Sequence, residues 1–463
     1  MALSFRSCVK AAKVAFMAGV SCLIWGSPGI GKSDLVRSIA AESTYRIEYR
    51  VDDALLADPR IKALYYLPSE DPKDPPAPAV HRGRKVFDVR LVLCTPTDLK
   101  GIPVFSSQRR DAVWVMSGML PTSLERVKEL EMMVLSCIKE KDTSSIDYNQ
   151  YVEMLVSALH DQHSILFLDE ISQAPTTVQA AAFGLVLDRK IQSYELPEGV
   201  SIAAASNEYT DRAAINRMPT PLLSRFTHIS MVPSFADWEE WAIRTDDRGI
   251  PNIESDILAY LKFNSDHFYN FDPSGLRGEN GKSSNITFAC PRTWHMSSKL
   301  IRAFDEKNPN ADDSDRDILE EILSGTVGAS AASLFNAWRR EFRHMPSPAL
   351  VLDGAMERKQ VKFEVTRDGV REEDPSMEFA FILSMYRMLV DRINSGYRDD
   401  SERALQIGRA FAFVLDDGTK KEFAAVLFQI IVNGDNGAKQ VLFKHPKFFE
   451  MSSALSNAGA FKK

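Results

Sequence analysis

Gly26-Ser27-Pro28-Gly29-Ile30-Gly31-Lys32-Ser33 spells G-x-x-x-x-G-K-[ST], the pattern of a loop that cradles phosphate groups. Its setting matters as much as its spelling. The apolar run over 20–25 predicts a buried strand before it, and Leu35, Val36, Ile39 and Ala40 recur at helical spacing after it. A loop so placed curls on its glycines until its N–H groups share one anion, and the helix end adds partial positive charge. Lys32 is suited to reach the β- and γ-phosphates of a nucleotide and Ser33 to ligate Mg²⁺. The candidate nucleotide-binding set is Gly26, Ser27, Pro28, Gly29, Ile30, Gly31, Lys32, Ser33 and Asp34. A glycine-rich turn with a surface lysine would share the spelling but not the flanking strand and helix.

A second stretch fits the same chemistry. Residues 164–168 are a continuous strand-like run that ends in Asp169 and Glu170. Acids at the carboxyl end of a buried strand suit Mg²⁺ coordination, here by Asp169, and polarisation of an attacking water, here by Glu170. The competing reading makes them caps of the helix that follows, near Pro175. Residues 200–206 form another core strand ending in Asn207, which would project over the same sheet edge and orient water or the γ-phosphate. An Asn after a strand is otherwise an ordinary turn residue.

At 463 residues the chain calls for two or three domains, and its 44% hydrophobic and 26% charged residues are those of a soluble globular protein. A formal charge of −7 and a pI near 5.8 leave no overall basic field for DNA or an anionic membrane, although a local basic pore could hide within that total. The five cysteines are scattered without a CxxC pair, as reduced thiols of a cytosolic protein would be. His160 and His163 lie three apart, but no ligand cluster accompanies them, and they read as the end of a helix. No run of about 18 apolar residues offers a membrane span. The basic and apolar start of the chain resembles a signal peptide, yet that run leads directly into the phosphate loop, so a cytoplasmic location is expected.

Along the rest of the chain, the patterns predict a helix over 4–18, a second strand over 45–51 and an exposed proline-rich loop over 68–85. They then predict a strand over 86–93, a turn at Asp98 and Gly101, a hairpin arm over 112–118 and two helices. A short hairpin is expected over 189–199, and a helix with Pro221 at its start precedes Arg225, Phe226 and a last strand over 227–232. Beyond 346 the apolar stripes mark amphipathic helices packing on one another, with no catalytic constellation.

Taken together, GSPGIGKS, ILFLDE, AAASNEYTDRAAINRMPTPLLSRF and CPRTW, in that order, resemble the AAA+ ATPases and among them the MoxR-type branch, over about residues 20–299. The resemblance implies an α/β P-loop NTPase core over 1–233, with a parallel sheet of about five strands and helices on both faces. It implies an α-helical lid over 234–345, and a C-terminal helical domain over 346–463 would follow. It makes Asn207 the sensor 1 residue, Arg225 an arginine finger inserted into a neighbouring subunit's site, and Arg292 the sensor 2 residue on the lid; Arg217 is a second candidate for the interface. Residues 98–121 would be a helix-2 insert and 189–199 a pre-sensor hairpin, both facing a central pore.

The same resemblance implies ATP and Mg²⁺ as ligands and a homo-oligomeric ring, expected to be a hexamer, without membrane association. Such a ring remodels or activates a partner, for instance a protein with a von Willebrand factor A domain. Two other classes stay open: a nucleic-acid-stimulated motor, for which residues 106–114 mix bases with an aromatic, and a nucleotide-gated scaffold. The acidic total and the shortness of that patch favour protein remodelling over nucleic acid. The chain has no N-K-x-D for guanine and no LSGGQ-like signature. It departs from the family pattern in its long proline-rich stretch and in the fading of the resemblance after Lys299.

Overall fold

The computed structural model describes residues 2–67, 77–106, 111–116, 118–208, 218–245, 250–272, 287–308, 311–367, 370–395, 400–416, 419–433 and 437–457. The chain forms two compact units, residues 1–232 and 233–463. The start of the expected proline-rich loop over 68–85, and Arg217, lie outside the described residues.

The first unit is built on five parallel strands: β1 (Cys22–Trp25), β2 (Val86–Arg90), β3 (Ile165–Asp169), β4 (Ser201–Ser206) and β5 (Thr227–Ser230), in the order β5-β1-β4-β3-β2. The register sets Trp25 beside Ser206 and Ser230, and Arg90 beside Asp169. Every residue of β3 is buried, as a parallel sheet covered on both faces requires. The longer helices of the unit are α1 (Phe5–Met17), α2 (Lys32–Glu42), α3 (Leu124–Lys139), α4 (Ile146–Asp161) and α5 (Thr176–Leu187). Strand side chains alternate between faces. Leu23, Leu166, Leu168, Ile202 and Ala204 share a core with Val178, Ala182 and Leu185 of α5, while α2 packs on the sheet strands through Leu35, Val36 and Ile39. At the sheet's edge, Leu3 donates its N–H to the Ser230 carbonyl at 2.8 Å and accepts from the Val232 N–H at 2.9 Å.

Three expected strands change. The strand over 45–51 reduces to Thr44–Tyr45, which pairs antiparallel with His81–Arg82. The alternation there has a different cause: Ile47 and Val51 bury against α3 and α4 in an irregular segment, and the second sheet strand is β2. That strand ends at Arg90, where the chain turns into the 3-10 helix Leu91–Leu93. The last strand ends at Ser230 rather than 232. The end of the expected proline-rich loop is anchored, not exposed. Ala79 is buried, and Arg84 donates to the carbonyls of His163, Ser164 and Gly199. The expected turn at Asp98 is the short helix Pro96–Lys100, closed by a capping box between Thr95 and Asp98. It leads into the hairpin Ile102–Ser106 with Asp111–Val115.

The second unit is helical: α6 (Ser255–Phe263), α7 (Pro291–Lys307), α8 (Asp313–Val327), α9 (Ala329–Arg343) and α10 (Pro375–Asn394), followed by Asp400–Leu415, Lys421–Asn433, Gly437–Phe443 and Pro446–Asn457. Its one hairpin among the described residues pairs Glu364–Arg367 with Val370–Glu373. A single hydrophobic cluster runs from Ala242 to Phe448 and draws on both sides of position 345. No helix among the described residues is long and apolar enough to cross a membrane.

Candidate functional site

Because the five strands run parallel, the ends of β1, β3 and β4 deliver Gly26, Asp169 and Asn207 to one sheet edge, the place where such folds bind ligands. Helix α2 starts there at Lys32, with Gly31 as its N-cap at φ +97°, a left-handed conformation that favours glycine. Gly26 is required for a different reason: a Cβ there would stand 2.8 Å from the Met231 carbonyl oxygen, which belongs to the backbone and cannot swing away. The loop is thus wedged between β1 and the end of β5. Asp34, in the first turn of α2, is exposed and paired with Arg37.

The cationic head of Lys32 bonds the carbonyls of Gly26 and Ser27 at 2.6 and 3.0 Å, and Asn207 Oδ1 at 2.8 Å. Ser33 Oγ donates to Asp169 Oδ2 at 3.0 Å. A hydroxyl and a carboxylate in contact are oxygen donors of the kind that hard Mg²⁺ takes, and the lysine head at the start of α2 is a cation suited to phosphate oxygens. Both features fit a Mg²⁺-nucleotide.

Glu170 is half-buried at φ +56°, an uncommon conformation for a non-glycine residue. Its N–H donates to the preceding Asp169 Oδ1 at 2.9 Å. Neither acid caps α5, whose N-cap is Pro175 with no side-chain cap bond. What holds the turn is a buried pair that carries no motif. Ser172 and Ser206 are 0% and 1% exposed with their hydroxyls 2.6 Å apart, and Ser206 Oγ also bonds the Asn207 carbonyl at 2.9 Å. The Ile171 N–H adds a bond to the Ala205 carbonyl at 3.1 Å. The turn that bears Glu170 and the strand end that bears Asn207 are therefore fastened together. Only burial identifies these serines, so the sequence gives no signal for them.

Two expected arginines stand elsewhere. Arg225 is exposed and precedes β5, so it lies at the amino edge of the sheet, a strand length of roughly 13 Å from the edge that bears Lys32. Arg292 belongs to the second unit. In CPRTW, Pro291 opens α7, Thr293 Oγ1 accepts from the Cys290 N–H at 2.9 Å, and Trp294 is fully buried, which leaves Arg292 exposed on the first turn.

The amino edge of the sheet carries a second cluster. Tyr45 OH bonds His160 Nδ1 at 2.7 Å, its ring stacks on His163 at 5.1 Å, and the His81 ring stands edge-on to His160 at 5.0 Å. Burial pushes the pKa of both His160 and His163 below the usual imidazole value. A cavity of about 450 Å³ opens beside it, lined by Arg60, Lys85, Glu153, Ser157 and Asp161. Lys85 is paired there with Asp161, so the lining offers a phosphate little free positive charge. Among the described residues, no group of three or more His, Cys, Asp or Glu side chains is arranged to hold a metal ion.

No family model and no curated protein matches the chain. Among solved structures, the crystal structure of a "putative ATPase from Cytophaga hutchinsonii" is similar at 9% identity, covering 70% of this chain and 82% of that one with a TM-score of 0.26. A likeness that slight carries no weight for this chain. The functional reading rests on the geometry of the carboxyl edge.

Proposed function

We propose that the chain is a Mg²⁺-dependent ATPase of the AAA+ type, resembling the MoxR branch, that works as a ring and remodels or activates a partner protein. The observation that carries the hydrolase reading is the pair of contacts Lys32 to Asn207 and Ser33 to Asp169, which gather residues from a loop and two strand ends at one sheet edge. Lys32 and the loop N–H groups bind the phosphates, Ser33 and Asp169 hold the cation, Asn207 orients the γ-phosphate, and Glu170 accepts a proton from the attacking water. When bound, Mg²⁺ held by Ser33 and Asp169 would supply charge compensation to the phosphates.

Arg225 supports the ring. It stands about a strand length from its own loop, beyond the reach of its side chain, so in this reading its target would be the site of a neighbouring copy. A finger in trans ties turnover to subunit contact, because charge on the γ-phosphate is fully compensated only when two copies meet. Arg292 on the lid would sense the same phosphate, and a von Willebrand factor A domain protein is the class of partner that the MoxR resemblance suggests.

The deciding experiment measures ATP turnover and native mass in the same samples, with and without nucleotide. Turnover that accompanies a nucleotide-dependent ring is the expected result. A monomer that neither binds nor hydrolyses ATP overturns the reading, and steeply salt-dependent stimulation by single-stranded DNA would replace protein remodelling with a nucleic-acid motor.

A further inference from the structure

Trp25 is the last residue of β1, and the phosphate-binding loop begins at the next position. His228 lies on β5 directly beside Leu23, so Trp25 and His228 project from the same sheet face as diagonal neighbours. The Trp25 indole N–H donates to His228 Nδ1 at 2.7 Å, with the two rings within 12° of parallel. An indole nitrogen is a donor only, so Nδ1 accepts and the neutral imidazole carries its proton on Nε2. Nε2 in turn lies 2.9 Å from the Leu223 carbonyl and donates to it. Leu223 closes the short helix Thr220–Leu223, and Arg225 follows two residues later.

These two bonds run along the sheet face from the edge that holds the loop to the edge that presents Arg225. The backbone ladder between β1 and β5 also connects these two edges and is common to every residue pair of the two strands. The imidazole is a separate strut. It ties the orientation of the arginine-bearing turn to the residue on which the loop is mounted.

We infer that His228 is a positioning residue, which sets Arg225 according to the state of the phosphate loop in its own subunit. This rests on the proposed role of Arg225 in trans. Its consequence is directional coupling: a subunit whose loop is filled presents its arginine to the neighbour differently from one whose loop is not.

The test is a double-mutant cycle in the full chain. His228→Ala is expected to lower kcat roughly fivefold to tenfold, the worth of about one hydrogen bond, with KM for ATP within about twofold of the parent. His228→Gln, which can keep a donor for the Leu223 carbonyl, should recover most of that loss. In an Arg225→Ala background, His228→Ala should cost nothing further, because its effect passes through the arginine. Additive losses, or equal losses in the Ala and Gln variants, overturn the inference.

A readout without turnover separates this from the hydrolase reading. The Trp25 indole N–H resonance, assigned by Trp25→Phe, should move on adding ATP analogue and lose its hydrogen-bonded shift in His228→Ala. If the parent shows no hydrolysis, the ATPase reading fails. If the indole signal ignores both the analogue and the His228 substitution, the strut fails whatever the turnover.

Discussion

Lys32 Nζ lies 2.8 Å from Asn207 Oδ1, although 175 positions separate the two residues in the chain. The contact links the phosphate loop to the end of β4, so in the proposed mechanism Asn207 would orient the lysine as well as the nucleotide. Asn207→Ala should lower kcat roughly 100-fold, as loss of one oriented polar group at a reacting phosphate does, while nucleotide affinity changes little. Turnover and fluorescent-nucleotide titration of the same variant check this; an affinity loss as large as the kcat loss would make Asn207 a binding residue.

Glu170→Gln should retain ATP binding and lose turnover by at least about 100-fold, since the amide cannot accept the proton from water. Rings mixed from Glu170→Gln and Arg225→Ala chains should regain part of the activity that neither has alone. The mixed ring then contains interfaces with an intact glutamate on one side and an intact arginine on the other. Absence of any recovery counts against the placement of Arg225 in trans.

Gly26→Ala should abolish nucleotide binding and destabilise the first unit by about 1–3 kcal/mol, the usual cost of forcing an extra group into a packed position. The clash is with the end of the Ile30 side chain, which can turn, and with the Met231 carbonyl, which cannot, so the loop backbone must yield. Thermal denaturation with and without nucleotide reads both effects. An unchanged melting temperature would show that the cradle is looser than the 2.8 Å approach indicates.

Stability should fall as pH drops below about 6.5, the value of an unperturbed imidazole. Burial lowers the pKa of His160 and His163 in the fold, with His81, Arg84, Asp161 and Glu48 as the charged or titratable neighbours that modify it. The unfolded chain then binds more protons than the fold, so this contribution is fully present above the unfolded value and is lost as pH falls toward the folded one. Denaturation midpoints of wild type and His163→Gln across pH 7.5 to 5.5 should show, roughly, a shallower dependence in the variant. Parallel curves would exclude His163 as a source of the slope.

In the second unit, Glu254 is 6% exposed and receives Arg302 of α7 at 2.6 Å and Arg387 of α10 on its other oxygen. Burial raises its pKa, and the two arginines oppose that shift. Glu254→Ala leaves two cations without their counter-charge and should cost about 3 kcal/mol or more, read by chemical denaturation of the full chain. A change below about 1 kcal/mol would mean that the arginines find water instead.

Much of the carboxyl edge was legible because each residue there belongs to a local pattern. The glycines of 26–31, the acid pair after a continuous apolar strand and the Asn after β4 are all read from neighbours in sequence. The strand over 45–51 misled because alternation reports a half-buried surface and not its partner, which here is a helix pair. Ser172, Ser206 and the His228 strut were illegible for the opposite reason. Their partners lie 34 and 203 positions away, and single serines and a single histidine carry no spacing to read.

The bonds between Leu3 and residues 230 and 232 place the beginning and the end of the first unit side by side. A unit with adjacent ends can be lifted out of its chain or opened elsewhere without moving its core. Joining Leu3 to Val232 by a short linker and cutting at residues 140–144, an exposed turn between α3 and α4, would give a circular permutant with every strand pairing of the sheet retained. By this connectivity the two ends of the first unit can be joined without disturbing a strand of its sheet.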